Sequence, residues 1–180
     1  ITGATALTVE PATTDEFVLS DAGTLKRIDY DHIKGVHKNV FFVHTIETVF
    51  THNTFKKMEW DTPELDPDSV FDATNEKWVC PANGTYFFHA TFRAVNGDGY
   101  IEQMINSIYK NGSAISSKSN YWWETGDANS MRYLNNSVAF SLTLAASDYL
   151  EFYMYLYGDG TVTNMRTLTA GTYWGGWRLY

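Results

Sequence analysis

The sequence predicts an all-β fold, a jelly-roll sandwich of eight to ten antiparallel strands. From about Val40 onward, short segments rich in β-branched and aromatic residues recur at roughly regular spacing. Turn-forming pairs such as Asn-Gly and Asp-Gly separate them, and no window keeps the 3.6-residue period of a helix. Aromatic residues make up 16% of the chain, which is ample for a large core. Many short strands of this kind are typical of a sandwich or jelly roll.

Eight segments are predicted strands: NVFFVHTIETVF, TFKKMEW, EKWVC, GTYFFHATFRA, YIEQMINSIYKNG, NSVAFSLTL, DYLEFYMYLYG and TYWGGWRLY. Several of them carry aromatic residues on both faces. In GTYFFHATFRA, Tyr86 and Phe88 share one face, while Phe87 and His89 share the other. A sandwich buries one face of each sheet, and soluble monomers rarely keep an exposed aromatic patch on the second. The alternation therefore favours an oligomer in which other subunits cover one sheet. The alternative is that a loop covers Phe87.

Residues 1–39 are predicted to form a segment separate from a head domain at residues 40–180. The stretch ITGATALTVEPATT is typical of an extended linker or the end of a stalk. DEFVLSDAGTLKRIDYDHIKG predicts a hairpin with a turn at Asp21-Ala22-Gly23, then a turn or helical cap ending at Gly35. Because a lone hairpin is marginal in water, it must pack on a partner, and a copy of itself is the simplest one. The start at Ile1 without a methionine favours the C-terminal piece of a longer chain.

Charge and composition exclude several classes of function. The formal net charge is −8 and the thirteen Lys and Arg are scattered, so no cationic face for nucleic acid is expected. No apolar run has the length of a membrane span, so no membrane insertion is expected. The single cysteine, Cys80, allows no intrachain disulfide. No GxSxG, ordered triad or other catalytic motif is present, and we therefore expect no enzyme activity.

Metal-binding patterns are also missing. The five histidines form no HxH or HExxH pair. The acidic stretch DTPELDPDSVFD could attract calcium, but its spacing does not match an EF-hand, and a solvated loop is the favoured interpretation. No cofactor is predicted, and calcium is not supported by the spacing.

Residues 40–180 resemble the trimeric jelly-roll head of the complement component-one subcomponent-q and tumour-necrosis-factor superfamily. The resemblance rests on Phe71-Asp72, WVCPANGTYFF, IYKNG at 108–112, SVAFSLTLAASDYLEF at 137–152 and the last strand, TYWGGWRLY. Two features depart from the family pattern, the double glycine Gly175-Gly176 and the long aromatic segment NYWWETGDANSMRYLNN.

The resemblance implies a homotrimer with Phe87 and His89 on the trimer axis. It also implies a core position for Tyr86, Phe88 and Phe92. Because the double glycine obscures the register of the last strand, two interfaces stay open. The strand contributes to the axis either Tyr173 and Trp177 or Trp174 and Arg178.

A second resemblance covers about twenty N-terminal residues. DEFVLSDAGTLKRIDYDHIKG is similar to a segment found in bacteriophage tail-fibre and other virion appendage proteins. It implies contact with other virion proteins through this segment and a place on the virion surface, with an extracellular protein as the alternative.

The predicted function is that of a trimeric fibre or appendage head that binds host surface glycan or protein. The expected ligand loop contains Tyr121, Trp122, Trp123 and Tyr133, because such rings stack on sugars or fill protein pockets. The alternative for these rings is that they close the open end of the sandwich or the subunit seam. The alternative functions are a capsid-decorating or fibre-capping protein without a receptor, or a secreted signalling head of the same superfamily.

Overall fold

The computed structural model describes residues 11–12, 14–30, 39–115, 120–123, 131–158 and 164–180, with the backbone alone for residues 120–123. The chain divides into two compact units, Ile1–Val36 and His37–Tyr180. We describe each unit by itself.

The first unit contains the predicted hairpin. Strand β1 (Glu16–Asp21) pairs antiparallel with β2 (Thr24–Asp29). Ala22 and Gly23 connect them with φ values of +49° and +84°, as in the two-residue turns that suit the twist of a hairpin. All six residues of β1 are exposed. The predicted cap ending at Gly35 lies outside the described residues.

The described part of the second unit contains thirteen strands: β3 (Phe41–His44), β4 (Val49–Phe50), β5 (Thr54–Lys57), β6 (Phe71–Asp72), β7 (Lys77–Val79), β8 (Gly84–Asn96), β9 (Ile101–Lys110), β10 (Ser113–Ala114), β11 (Asn120–Trp123), β12 (Tyr133–Leu144), β13 (Tyr149–Gly158), β14 (Met165–Thr167) and β15 (Tyr173–Arg178). All eight predicted segments contain a strand. The total exceeds eight to ten because NVFFVHTIETVF forms two strands and because short pieces such as β6 and β10 add to the count.

The strands form two antiparallel sheets. The seven-stranded sheet has the order β10-β9-β13-β7-β6, with β11 paired to β9 and β5 paired to β13. In the six-stranded sheet, β8 is central: β12 pairs along one edge, and β15 and β14 pair end to end along the other. β3 and β4 complete it. The long strands β8, β9, β12, β13 and β15 alternate between the sheets, so the architecture is the predicted jelly roll.

Aromatic rings from both inner sheet faces fill the core. Trp174 lies at its centre, 0% exposed, with ring centroids 5.0 Å from Phe41 and 4.8 Å from Phe152. Tyr86, Phe88 and Phe92 are also 0% exposed, in agreement with the alternation of β8. Each fully buried ring contributes on the order of 2–3 kcal/mol of burial free energy. Within the described residues, eleven of the chain's 29 Phe, Trp and Tyr side chains are buried in this way.

The turn Cys80-Pro81-Ala82-Asn83-Gly84 explains the dense aromatic cluster around it. It carries the chain from β7 in one sheet to β8 in the other, so residues on both sides of the turn meet inside the sandwich. The Trp78 ring lies 4.9 Å from Tyr86 and 5.0 Å from Phe88. The Tyr86 hydroxyl donates to the Ala82 carbonyl at 2.7 Å. Burial raises the pKa of Tyr86 to about 12, which keeps this donor protonated.

Candidate functional site

The register of β15 decides which residues of the last strand share a face with Phe87 and His89. Tyr173 pairs with Thr91, Gly175 with His89 and Trp177 with Phe87. Directly opposite residues in an antiparallel pair point to the same side, so Tyr173 and Trp177 lie on the outward face with Phe87 and His89. The other alternative is wrong for this register: Trp174 is fully buried in the core.

Both glycines of the pair lie in close contacts, and those of Gly176 are the closer. A Cβ at Gly175 would come within 3.0 Å of the Phe41 carbonyl oxygen and of the Phe42 ring on the outward side. A Cβ at Gly176 would come within 2.6 Å of the Phe87 carbonyl oxygen and 2.7 Å of the Phe88 ring. The double glycine therefore lets rings pack on both sides of one strand without shifting its register.

Six rings lie on the outward side of the six-stranded sheet, and we call them together the aromatic face: Phe42, His44, Phe87, His89, Tyr173 and Trp177. Its ring centroids are close: 4.8 Å for Phe87 and Trp177, 5.4 Å for Phe42 and Tyr173, and 5.6 Å for His89 and Tyr173. All six side chains are half-buried. The face thus forms a ridge across β3, β15 and β8.

A strip of small residues borders this ridge on β12. Ser137, Ala139 and Ser141 lie directly opposite Thr91, His89 and Phe87, and all three are exposed. The Thr91 and Ser137 hydroxyls are hydrogen-bonded at 2.9 Å. We call these three β12 residues the small-residue strip. The outward face of the six-stranded sheet therefore has large aromatic side chains on β3, β15 and β8 beside small side chains on β12.

Polar groups lie at the borders of the aromatic face. His44 Nε2 lies 3.2 Å from Glu64 Oε1 at the β3 edge. On the opposite side, the Arg93 guanidinium lies 5.7 Å from the centre of the Tyr133 ring and donates to the Ala170 carbonyl at 3.4 Å.

The predicted ligand loop divides between the two sheets. Tyr121, Trp122 and Trp123 belong to β11, which pairs with β9 in the seven-stranded sheet, and their side chains lie outside the described structure. Tyr133 begins β12 in the six-stranded sheet and is 53% exposed. A ligand function for these four residues stays a prediction.

A second aromatic surface was not assigned from the sequence. On β13, Leu150, Phe152, Met154 and Leu156 are buried, while Tyr149, Tyr153, Tyr155 and Tyr157 point outward between them. Tyr109 of β9 and Phe55 of β5 lie beside this row, opposite Glu151 and Tyr155 respectively. We call these five tyrosines and Phe55 the tyrosine face. The alternation in DYLEFYMYLYG is the signal that identifies it.

The acidic loop serves the fold through its carboxylates. Asp66 accepts hydrogen bonds from the backbone N–H groups of Val70 and Phe71 at 2.8 and 2.9 Å, and Asp68 accepts one from the N–H of Asn39 at 2.8 Å. Within the ranges that the structure describes, no three His, Cys, Asp or Glu residues are grouped to hold a metal ion. In the same ranges, no helix combines the length and apolar character needed to cross a membrane.

Solved structures show the same fold. The globular domain of the zebrafish complement 1qA protein has a TM-score of 0.55 at 17% identity, covering 79% of this chain and 98% of its own. Murine APRIL at pH 5.0 has a TM-score of 0.54 at 14% identity, covering 78% and 98%. The Eiger TNF of S. frugiperda has a TM-score of 0.59 at 10% identity, covering 78% and 92%.

Neither a protein-family model nor a curated protein matches this chain. At these identities the likeness concerns the fold alone. It confirms the predicted jelly roll as the one shared by the complement 1q globular domain and tumour-necrosis-factor proteins.

Proposed function

We propose that this chain is a non-enzymatic binding head whose three copies assemble through the aromatic face. The observation that carries the proposal is the combination of six clustered outward rings with a strip of small residues beside them. Soluble monomers rarely leave such a patch in water. We infer that a second copy covers it, with the ridge of one subunit against the small-residue strip of the next.

A ridge-to-strip contact is heterologous, since each subunit offers a different surface to each neighbour. Repetition of such a contact gives a closed ring where the rotation returns to the first subunit, and an open filament where it does not. The number three comes from the family resemblance of residues 40–180. In this arrangement Phe87 and His89 lie nearest the axis, with Tyr173 and Trp177 beside them.

We further propose that the head belongs to a bacteriophage fibre or appendage and binds host surface glycan or protein. The resemblance of the N-terminal hairpin to virion appendage segments supports this location. So does its exposure: Val18 is 69% and Leu25 is 75% exposed, which suits docking on another virion protein. Three identical sites on one rigid head would raise the effective affinity for a repetitive surface.

The mass of the 180-residue chain in solution, measured by light scattering, tests the assembly. We expect three times the 20.5-kDa chain mass. Phe87→Glu would bring three carboxylates into an apolar contact and should give monomers or aggregates. Phe55→Glu, on the outward face of the other sheet, is the matched control and should remain trimeric.

Two results would overturn the proposal. The first is a stable monomer of the unsubstituted chain. The second is a Phe87→Glu protein that keeps the trimer mass, because the aromatic face would then not be the contact.

A further inference from the structure

The tyrosine face places a row of aromatic rings on the outward side of the seven-stranded sheet, where an ordinary solvent-exposed face carries polar side chains. Its four β13 tyrosines occupy alternate outward positions from Tyr149 to Tyr157, interrupted by Glu151. At about 3.4 Å per residue, this row extends over roughly 27 Å. Phe55 is 43% and Tyr157 is 37% exposed, and the other four rings are half-buried. A partner can therefore touch the rings without any rearrangement of the sheet.

The rings of this face pack in pairs. The centroids of Tyr109 and Tyr153 are 4.2 Å apart, and those of Phe55 and Tyr155 are 5.2 Å apart. His52 extends the surface, 4.8 Å from Tyr157. Burial raises the pKa of Tyr153, so its phenol stays a hydrogen-bond donor at neutral pH.

The charges on this face are used within the protein. Lys57 is paired with Glu151 and donates to the Asn75 carbonyl at 2.7 Å. Lys110 is paired with Asp148 at 2.7 Å, and the Lys77 ammonium lies 5.0 Å from the centre of the Tyr149 ring. The Tyr155 hydroxyl is also used within the protein, since it donates to Asn53 Oδ1 at 2.6 Å. What the face offers a partner is therefore ring surface and the neutral hydroxyl groups of its other four tyrosines.

This chemistry favours one kind of partner. An anionic polymer needs unpaired cations, and the chain has a net charge of −8. An apolar protein surface would cover phenol hydroxyls such as that of Tyr153 without offering them a hydrogen-bond partner, at a cost of about 1–3 kcal/mol each. A neutral sugar chain matches both properties, because its C–H faces stack on rings while its hydroxyls exchange hydrogen bonds with phenols.

We propose that the tyrosine face is a binding site for a neutral, hexopyranose-type polysaccharide. The proposal rests on the proposed function in one respect: a trimer built through the aromatic face leaves the outward side of the seven-stranded sheet open to solvent. The row on β13 then gives each trimer three extended sites.

The backbone of β11 extends this site toward the predicted ligand residues. Tyr121 and Trp123 pair with Ile105 and Gln103 of β9. The same two β9 residues pair on their other side with Tyr155 and Tyr157. The predicted ligand segment thus occupies the same sheet as the tyrosine row, with β9 between them.

Native gel electrophoresis of the full 180-residue chain tests the proposal. Gels contain mixed-linkage β-glucan, galactomannan or dextran, and a heparin gel is the anionic comparison. We expect at least one neutral polymer to slow the protein. For Tyr153→Ser and Phe55→Ser, the polymer concentration that halves the mobility should rise at least about tenfold, equivalent to about 1.4 kcal/mol.

Tyr180→Ser is the matched control, because it removes a tyrosine side chain that is 78% exposed elsewhere on the protein. It should bind as the unsubstituted chain does. Light scattering on each variant separates loss of sugar binding from loss of the trimer. If Tyr153→Ser fails to fold, the exposed position of Phe55 keeps the test valid.

Several results would overturn the proposal: migration unaffected by all three neutral polymers, slowing in heparin alone, or slowing that survives both face substitutions. A monomeric chain that is still slowed through Tyr153 and Phe55 would sustain this inference and refute the trimer. A trimer that binds none of the polymers would sustain the proposed assembly and refute this inference.

Discussion

Gly176→Ala tests the account of the double glycine most directly. The new Cβ would lie 2.6 Å from the Phe87 carbonyl oxygen and 2.7 Å from Phe88 Cδ1. The first contact is with backbone that pairs β8 to β15, so no side-chain rotation can relieve it. Phe88 itself is 0% exposed, so its ring cannot turn away into solvent. The two central strands of the six-stranded sheet must therefore separate locally.

The size of the effect follows from two opposing contributions. Overpacking a well-filled core costs about 1–3 kcal/mol. Replacing glycine restricts the unfolded chain and returns about 0.4–1 kcal/mol. We expect a net loss of about 1–2 kcal/mol in the free energy of unfolding. For a domain of this size, the melting temperature should fall by roughly 2–8 °C.

Thermal unfolding followed by circular dichroism, at one fixed protein concentration, measures this loss. Gly175→Ala is the control, because its Cβ would approach the Phe41 carbonyl oxygen and the Phe42 ring no closer than 3.0 Å. Phe42 is half-buried on the outward side and can shift, so Gly175→Ala should lose less than half as much. A Gly176→Ala protein that melts at or above the unsubstituted temperature would refute the register of β15.

Two further predictions concern charged groups. Hydrogen bonds from Lys110, Asn111 and the Ala145 N–H lower the pKa of Asp148 to about 2 from an ordinary 3.8. A lowered carboxyl pKa contributes stability above about pH 4 that is lost as the pH falls toward 2. In urea titrations at pH 7, the unsubstituted chain should be about 1–2 kcal/mol more stable to unfolding than Asp148→Asn. This difference should vanish as the pH falls from 4 to 2, and a difference independent of pH would contradict the prediction. Lys57→Met should lower the free energy of unfolding in the same titrations by about 2–3 kcal/mol, because it leaves Glu151, 8% exposed, without its cation. The double variant Lys57→Met with Glu151→Leu should recover most of that loss. Additive losses in the double variant would show that the pair is not coupled.

The sequence predicts the fold well because alternation and turn residues are local signals. In GTYFFHATFRA, the buried positions of Tyr86, Phe88 and Phe92 follow from period two alone. The sequence could not choose the register of TYWGGWRLY, since both parities place an aromatic residue outward. Contacts of Gly176 with β8, almost ninety residues earlier in the chain, make that choice.

Sheet membership limits the prediction of the site in a similar way. Two-sided aromatic strands appear in both GTYFFHATFRA and DYLEFYMYLYG, and the same explanation, cover by other subunits, fits the sequence of both. The pairing order assigns β8 to one sheet and β13 to the other, so their outward faces look in opposite directions. Alternation predicts which residues of a strand point outward. Only the long-range strand pairing determines on which of the two sheets those residues lie.

The chemistry of the two outward faces also supports our choice of the face proposed to contact another copy of the chain. At the centre of the tyrosine face, Lys57 keeps 29% side-chain exposure while it pairs with Glu151. A protein surface packed there would remove the remaining hydration of the ammonium group, and such desolvation costs several kcal/mol unless new partners replace the water. The hydroxyls of a sugar can replace it. The contact of Phe87 with Trp177 on the aromatic face carries no ionic group, and small residues adjoin it. Covering this part of the aromatic face therefore gains burial free energy without this penalty, which is why we propose the subunit contact on the six-stranded sheet and the ligand on the seven-stranded one.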